Sequence, residues 1–192
     1  MKKQNFRMLL AIAALAATSS SHAVLIDFAD LASAGDHGIA GYASAGYRIG
    51  SSRVENDAFF VWGRASPDFA GQVALTNGWD GLSTVLTRED GATFSLVSMD
   101  LSEAWRQPSY DPTAVVFVGT RADGSTVRQQ VTLDGLFGFQ HVDFGSDFAA
   151  VTSVSWIQSW QYHQFGNVAV IAVPLPTTLA LLLTGLMLMR RH

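Results

Sequence analysis

Thr113-Ala114-Val115-Val116-Phe117-Val118-Gly119-Thr120-Arg121, then Ala122-Asp123-Gly124, then Ser125-Thr126-Val127-Arg128-Gln129-Gln130-Val131-Thr132-Leu133, is the stretch that decides the fold class. Two runs rich in β-branched residues flank an Asp-Gly pair, which readily takes the positive φ angles of a hairpin turn. In the second run Val127, Val131 and Leu133 share one face, while Thr126, Arg128, Gln130 and Thr132 share the other. That alternation fits a strand with one buried side. The first run is apolar on both faces, so a central position in a sheet, or cover by a loop, is expected for it.

Outward from this hairpin, short apolar segments alternate with turn residues, and strands are expected at 24–28, 45–50, 58–63, 72–76, 92–101, 140–144, 150–157 and 164–173. No long stretch shows the spacing of an amphipathic helix. The pattern predicts an all-β domain, a single jelly-roll-like β-sandwich over residues 24–172, and not alternating β and α units. Within 92–101 the apolar parity changes from Phe94 and Leu96 to Val97, Met99 and Leu101. A β-bulge is expected there.

The length of 192 residues fits one domain with terminal segments. The formal charge of -4 conceals an asymmetry. All 16 Asp and Glu residues lie between Ala23 and Met189, accompanied by seven arginines and no lysine, which leaves that part at -9. Nucleic-acid binding requires the opposite sign, and that class is excluded. Without cysteine there is no disulfide framework, thiolate nucleophile or cysteine-ligated zinc.

At the N-terminus, Lys2, Lys3 and Arg7 precede the apolar run from Met8 to Ala17, and small residues lead to Ser21-His22-Ala23. This is the layout of a secretory signal peptide over residues 1–23, exported by a Sec-type machinery and cut by signal peptidase after Ala23. At the other end Val173-Pro174-Leu175-Pro176 opens an uncharged apolar segment that stops at Arg190-Arg191-His192. As a helix, residues 174–189 would reach about 24 Å, slightly short of a bilayer core of about 30 Å. Thinning of the bilayer and snorkelling of Arg190 and Arg191 accommodate such a span, so one C-terminal transmembrane helix is expected. Basic residues at both extremities place both on the cytoplasmic side and the acidic middle beyond the inner membrane.

The tail, a Pro-x-Pro motif followed by a hydrophobic helix and an arginine cluster, resembles the PEP-CTERM sorting signal of Gram-negative bacteria that make extracellular polysaccharide. The resemblance implies recognition by exosortase, an integral membrane transpeptidase, and delivery to the cell envelope or extracellular matrix. Leu175 replaces the usual glutamate, and Val173-Pro174-Leu175-Pro176 is similar to a variant that begins Val-Pro-Leu-Pro. Each proline pushes the residue before it toward an extended shape that a membrane protease can grip. The segment from Met99 through Val170 resembles the jelly-roll domain often found ahead of such tails, similar in outline to carbohydrate-binding modules. Related domains carry Asp-Asn in the last strand where this chain has Gly166-Asn167. In such domains the acidic residue can help hold calcium, which leaves Asp27 and Asn167 as weak oxygen ligands.

No catalytic grouping emerges. Asp100 with Glu103, and Glu89 with Asp90, could be read as the paired carboxylates of glycoside hydrolysis, but solvated surface carboxylates are the expectation. His37, His141 and His163 lack metal-ligand spacing, and no serine sits in a Gly-x-Ser-x-Gly context. The expected function is therefore that of a non-enzymatic envelope or matrix protein with no cofactor; alternatives are an exopolysaccharide-binding module or, third, a glycan-active enzyme. Trp156, alternating with Val154, is expected in the core. Trp105, Tyr110, Trp160 and Tyr162 lie in polar stretches, where their rings either form a sugar-stacking platform or plug the open end of the sandwich.

Overall fold

The computed structural model of the chain describes residues 22–105 and 113–173. The segment up to residue 21 of the expected signal peptide, Tyr110, and the expected sorting tail from Pro174 through Leu175, Pro176, Arg190 and Arg191 lie outside the described residues. Among the described residues no helix is long and apolar enough to cross a membrane. The strands are β1 (Ala23–Ile26), β2 (His37–Ile39), β3 (Gly41–Ser44), β4 (Tyr47–Ser51), β5 (Phe59–Val61), β6 (Thr76–Asn77), β7 (Ser83–Arg88), β8 (Phe94–Glu103), β9 (Ala114–Arg121), β10 (Thr126–Thr132), β11 (Gln140–Asp143), β12 (Val151–Ile157) and β13 (His163–Ala172). Two short 3-10 turns, Ala29–Leu31 and Ser146–Phe148, complete the regular structure among these residues.

The expected hairpin pairs β9 with β10 from Ala114↔Thr132 to Thr120↔Thr126. Gly124 takes the left-handed conformation (φ 82), its N–H donates to the Arg121 carbonyl, and the Asp123 carboxylate accepts from the Ser125 N–H. Because β9 also pairs with β12, the strand that is apolar on both sides is a central one. Its neighbours continue antiparallel in the order β10-β9-β12-β7-β4-β3. A second antiparallel layer runs β1-β13-β8-β11. The two meet through the pair Val151↔Phe94, where β12 touches β8.

Across this fold the inward faces interdigitate, making an all-β sandwich. Trp156 of β12 meets Phe165 of β13 at 4.9 Å between ring centroids, Tyr47 of β4 meets Phe94 of β8 at 5.6 Å, and Phe117 of β9 meets Phe144 at 5.0 Å. Each such side chain taken from water contributes about 1.5–3 kcal/mol. Trp156 is in the core, as its alternation with Val154 predicts.

The parity change in β8 coincides with a register break. Gly166 pairs with Asp100, then Ala169 with Ser98, then Val170 with Leu96, so each strand accommodates an extra residue. Asn167, inside the break, has φ 46.

A third, small sheet, β2-β5-β6, lies beside β13, joined to it by the bridge Leu75↔Phe165. Strand alternation turns Phe59 and Val61 into the core and leaves Phe60 and Trp62 half-buried on the opposite face.

Several expected boundaries need correction. Ala45 does not open a strand: Ala45 (φ 51) and Gly46 (φ 80) form the two-residue turn between β3 and β4. Alanine there is disfavoured by roughly 1–2 kcal/mol, so its identity gives no turn signal. The strand expected at 72–76 is reduced to Thr76–Asn77. β7 lacks an apolar signature because its inward Thr84 is polar; it is satisfied by Asn77, whose amide donates to Thr84 Oγ1 (3.1 Å) and Ser51 Oγ (3.2 Å). β2 and β3 are short and rich in small residues, so no hydrophobic pattern marks them.

Candidate functional site

On the outer face of the small sheet, Phe60 and Trp62 sit one strand period apart, their rings 4.5 Å between centroids at an interplanar angle of 64°. Thr76 of β6 pairs with Phe60, and Gly78 follows it. A second aromatic pair comes from the large sheet. β8 and β13 are antiparallel neighbours, with Glu103↔His163 in register, so the residue after β8 and the residue before β13 emerge side by side. Those segments carry Trp105 and Tyr162, with centroids 4.7 Å apart at 61°. Tyr162 is fixed through its hydroxyl, which accepts from the Asp80 N–H (3.0 Å), and through its carbonyl, which accepts from the Ala104 N–H (2.9 Å).

Together Phe60, Trp62, Thr76, Gly78, Trp105 and Tyr162 line a half-open hollow of about 210 Å3. Trp62 Nε1 and Thr76 Oγ1 are buried and have no hydrogen-bond partner. A buried polar atom left without a partner costs about 1–3 kcal/mol, and its persistence calls for a reason. Among the described residues no charged side chain is part of this wall.

Of the residues expected to form a stacking platform, the structure brings Trp105 and Tyr162 together. Trp160 is 70 % exposed and is not part of the pocket wall. Phe60, Trp62, Thr76 and Gly78 were not among the expected site residues. The signal available for two of them was the Phe-x-Trp spacing on an expected strand, which puts both rings on one face. Trp79, next to Gly78, is 46 % exposed, and the Arg53 guanidinium lies 4.2 Å from its ring centroid.

Asp27 and Asn167 do not share a site. The Asp27 carboxylate accepts from the Ala29 N–H (3.0 Å), while the Asn167 amide donates to Gln72 Oε1 and Asp100 Oδ2, each at 2.7 Å. Gln72 Nε2 also donates to Asp100 Oδ2 (3.1 Å), and His141 Nδ1 lies 2.7 Å from Asp100 Oδ1. Burial pushes the Asp100 carboxyl up, but the hydrogen bonds from His141, Asn167 and Gln72 outweigh it and hold the group below the usual range. The same bond to Asp100 raises the His141 imidazole.

This network explains Gly166: a Cβ there would stand 2.9 Å from Gln72 Nε2 and 3.2 Å from the Val73 carbonyl. The strand partner of Gly166 is Asp100, so the carboxylate of this region comes from the neighbouring strand and clamps the 66–75 segment to the sheet. Among the described residues no group of three or more His, Asp or Glu side chains is placed to hold a metal ion.

Asp100 and Glu103 lie three residues apart on β8 and therefore on opposite faces, which separates the suspected carboxylate pair. Glu103 is not a solvated surface group: it is 2 % exposed, its Oε1 accepts from the Gly135 N–H (2.9 Å), and burial raises its carboxyl. Asp90 pairs with Arg88 (2.6 Å) at the surface. His163 is fully buried, and burial lowers its imidazole to about 4. With the Gln158 amide oxygen turned toward it, that oxygen accepts from the His163 backbone N–H (2.7 Å) and from Nδ1 (3.2 Å).

No family model matches the chain, and no curated protein matches it. Solved structures of carbohydrate-binding modules do. A mutant of CBM29-2 complexed with mannohexaose aligns with a TM-score of 0.46 at 9% identity, over 79% of this chain and 92% of that one. The family 32 module of C. perfringens NanJ in complex with galactose aligns with a TM-score of 0.42 at 11% identity, over 68% and 98%. Likeness at this level assigns no ligand to the present chain.

Proposed function

We propose that this chain is an exported, non-enzymatic protein whose sandwich binds a neutral glycan in the hollow walled by Phe60, Trp62, Trp105 and Tyr162. The observation that carries this reading is the convergence of four aromatic rings from three segments around a space that stays open, beside polar atoms that lack partners among the described residues. Rings that merely plugged the end of the sandwich would fill that space. Carbohydrates present apolar C–H faces to aromatic rings and polar groups at their edges, which suits this mixture. The acidic surface, and a wall that holds no cation among the described residues, disfavour polyanionic glycans.

Delivery is the role proposed for the two ends: Sec-type export, signal peptidase cleavage after Ala23, and exosortase recognition of Val173-Pro174-Leu175-Pro176 with the basic tail. On this reading the protein passes through an inner-membrane intermediate to the envelope or matrix of a Gram-negative bacterium. Exopolysaccharide is the glycan it would meet there.

Titration of the purified protein with neutral and acidic oligosaccharides, followed by tryptophan fluorescence and calorimetry, tests the binding reading. Neutral glycans should bind, and W62A and W105A should each weaken binding at least tenfold. Silence across the whole panel, or wild-type affinity in both variants, defeats the proposal.

A further inference from the structure

We infer that the pocket selects an acetyl substituent on its sugar, carried through nitrogen or oxygen; this rests on the glycan-binding reading above. Size is the first argument. About 210 Å3 is less than the roughly 300–1,000 Å3 of ordinary small-molecule sites, so the hollow takes one group of a glycan and not a run of rings.

Polar chemistry is the second argument. The side chains of the wall carry donor groups: the indole N–H of Trp62 and of Trp105, the Thr76 hydroxyl, and the Tyr162 hydroxyl, whose oxygen already accepts from Asp80 and whose proton remains for another acceptor. Among the described residues no side-chain carboxylate or amide oxygen is part of the same wall. A sugar hydroxyl both donates and accepts, so unsubstituted pyranoses are poorly matched to side chains that mainly donate. An acetyl carbonyl only accepts, and its methyl is apolar, which matches rings with donors between them.

Charge removes the main competitor. Carboxylate and phosphate substituents are also pure acceptors, but among the described residues no cationic side chain lines this pocket, and the region between the terminal segments is strongly acidic. A buried anion there would be desolvated without compensation. Thr76 is 3 % exposed, and its hydroxyl and Trp62 Nε1 are shut from water with no hydrogen-bond partner among the described residues, so an acceptor seated against them would supply what both lack.

The test compares matched ligands on the purified full chain. N-acetylglucosamine oligomers are set against glucose oligomers of the same linkage, and an O-acetylated glucan against the same glucan after alkaline deacetylation. Loss of the acetyl group should weaken binding about tenfold or more, about 1.4 kcal/mol. The inference stands whether the N-acetyl arm, the O-acetyl arm or both respond, and the arms say which linkage is read. Equal affinity with and without acetyl overturns the inference while leaving the glycan reading intact; no binding to any ligand overturns the glycan reading, and this inference with it. A second measurement uses T76V, which removes the orphaned hydroxyl at nearly constant shape. The unliganded variant should melt higher than wild type while binding the acetylated ligand several-fold more weakly. Unchanged affinity in T76V counts against the inference.

Discussion

Lowering the pH from 7 to 5 should cost the sandwich about 2 kcal/mol through His163 alone. The imidazole is fully buried, and burial depresses it from 6.5 to about 4 in the folded chain. As pH falls through 6.5 the unfolded chain takes up a proton that the native chain refuses until about 4. Stability is therefore full above 6.5 and is lost progressively down to about 4, where the deficit reaches about 3 kcal/mol. Glu103 works in the opposite sense. Its carboxyl is raised by burial, so the native state takes up its proton first on acidification and gains stability. Wild-type pH dependence alone mixes the two, and H163Q separates them. Urea unfolding of wild type and H163Q at pH 7 and pH 5 should show wild type losing about 2 kcal/mol more than the variant over that interval. Identical pH dependence in the two proteins, or an NMR titration of His163 near its ordinary 6.5, would refute the reasoning.

G166A should destabilise the fold by about 1–3 kcal/mol, because its Cβ meets Gln72 Nε2 and the Val73 carbonyl. Urea melts of G166A, Q72A and the double variant should be non-additive, the double losing less than the sum, and strict additivity would show that Gln72 is not what excludes the methyl. Replacing Pro174 and Pro176 should block the change in size of the tail region and retain the protein at the inner membrane. Intact-mass analysis of fractionated cells checks this, and unchanged processing removes the sorting proposal.

The class of fold was legible because β9 and β10 obey local rules: alternation, β-branched content and an Asp-Gly turn are all consequences of near neighbours in the chain. The parity shift around Val97 revealed a register break for the same reason, since a strand has a fixed period of two. Strand β7 was hidden because its buried Thr84 is satisfied by Asn77, a partner seven residues away on another sheet, and no periodicity encodes such a match. Likewise Ala45 turns the chain against its own conformational preference because the flanking strands pair around it.

For the site, sequence alone singled out Trp105 and Tyr162 as rings in polar surroundings and left open whether they plug or bind. It could not join them to Phe60, Trp62 and Thr76, which come from a different sheet. Nor could it show that Gly166 stands opposite Asp100, or that Glu103 is buried while Asp100 is not. Local pattern depends on backbone geometry that repeats every two residues, so it is written along the chain. A pocket depends on which strands lie side by side, and that is set by the packing of all the inward faces at once.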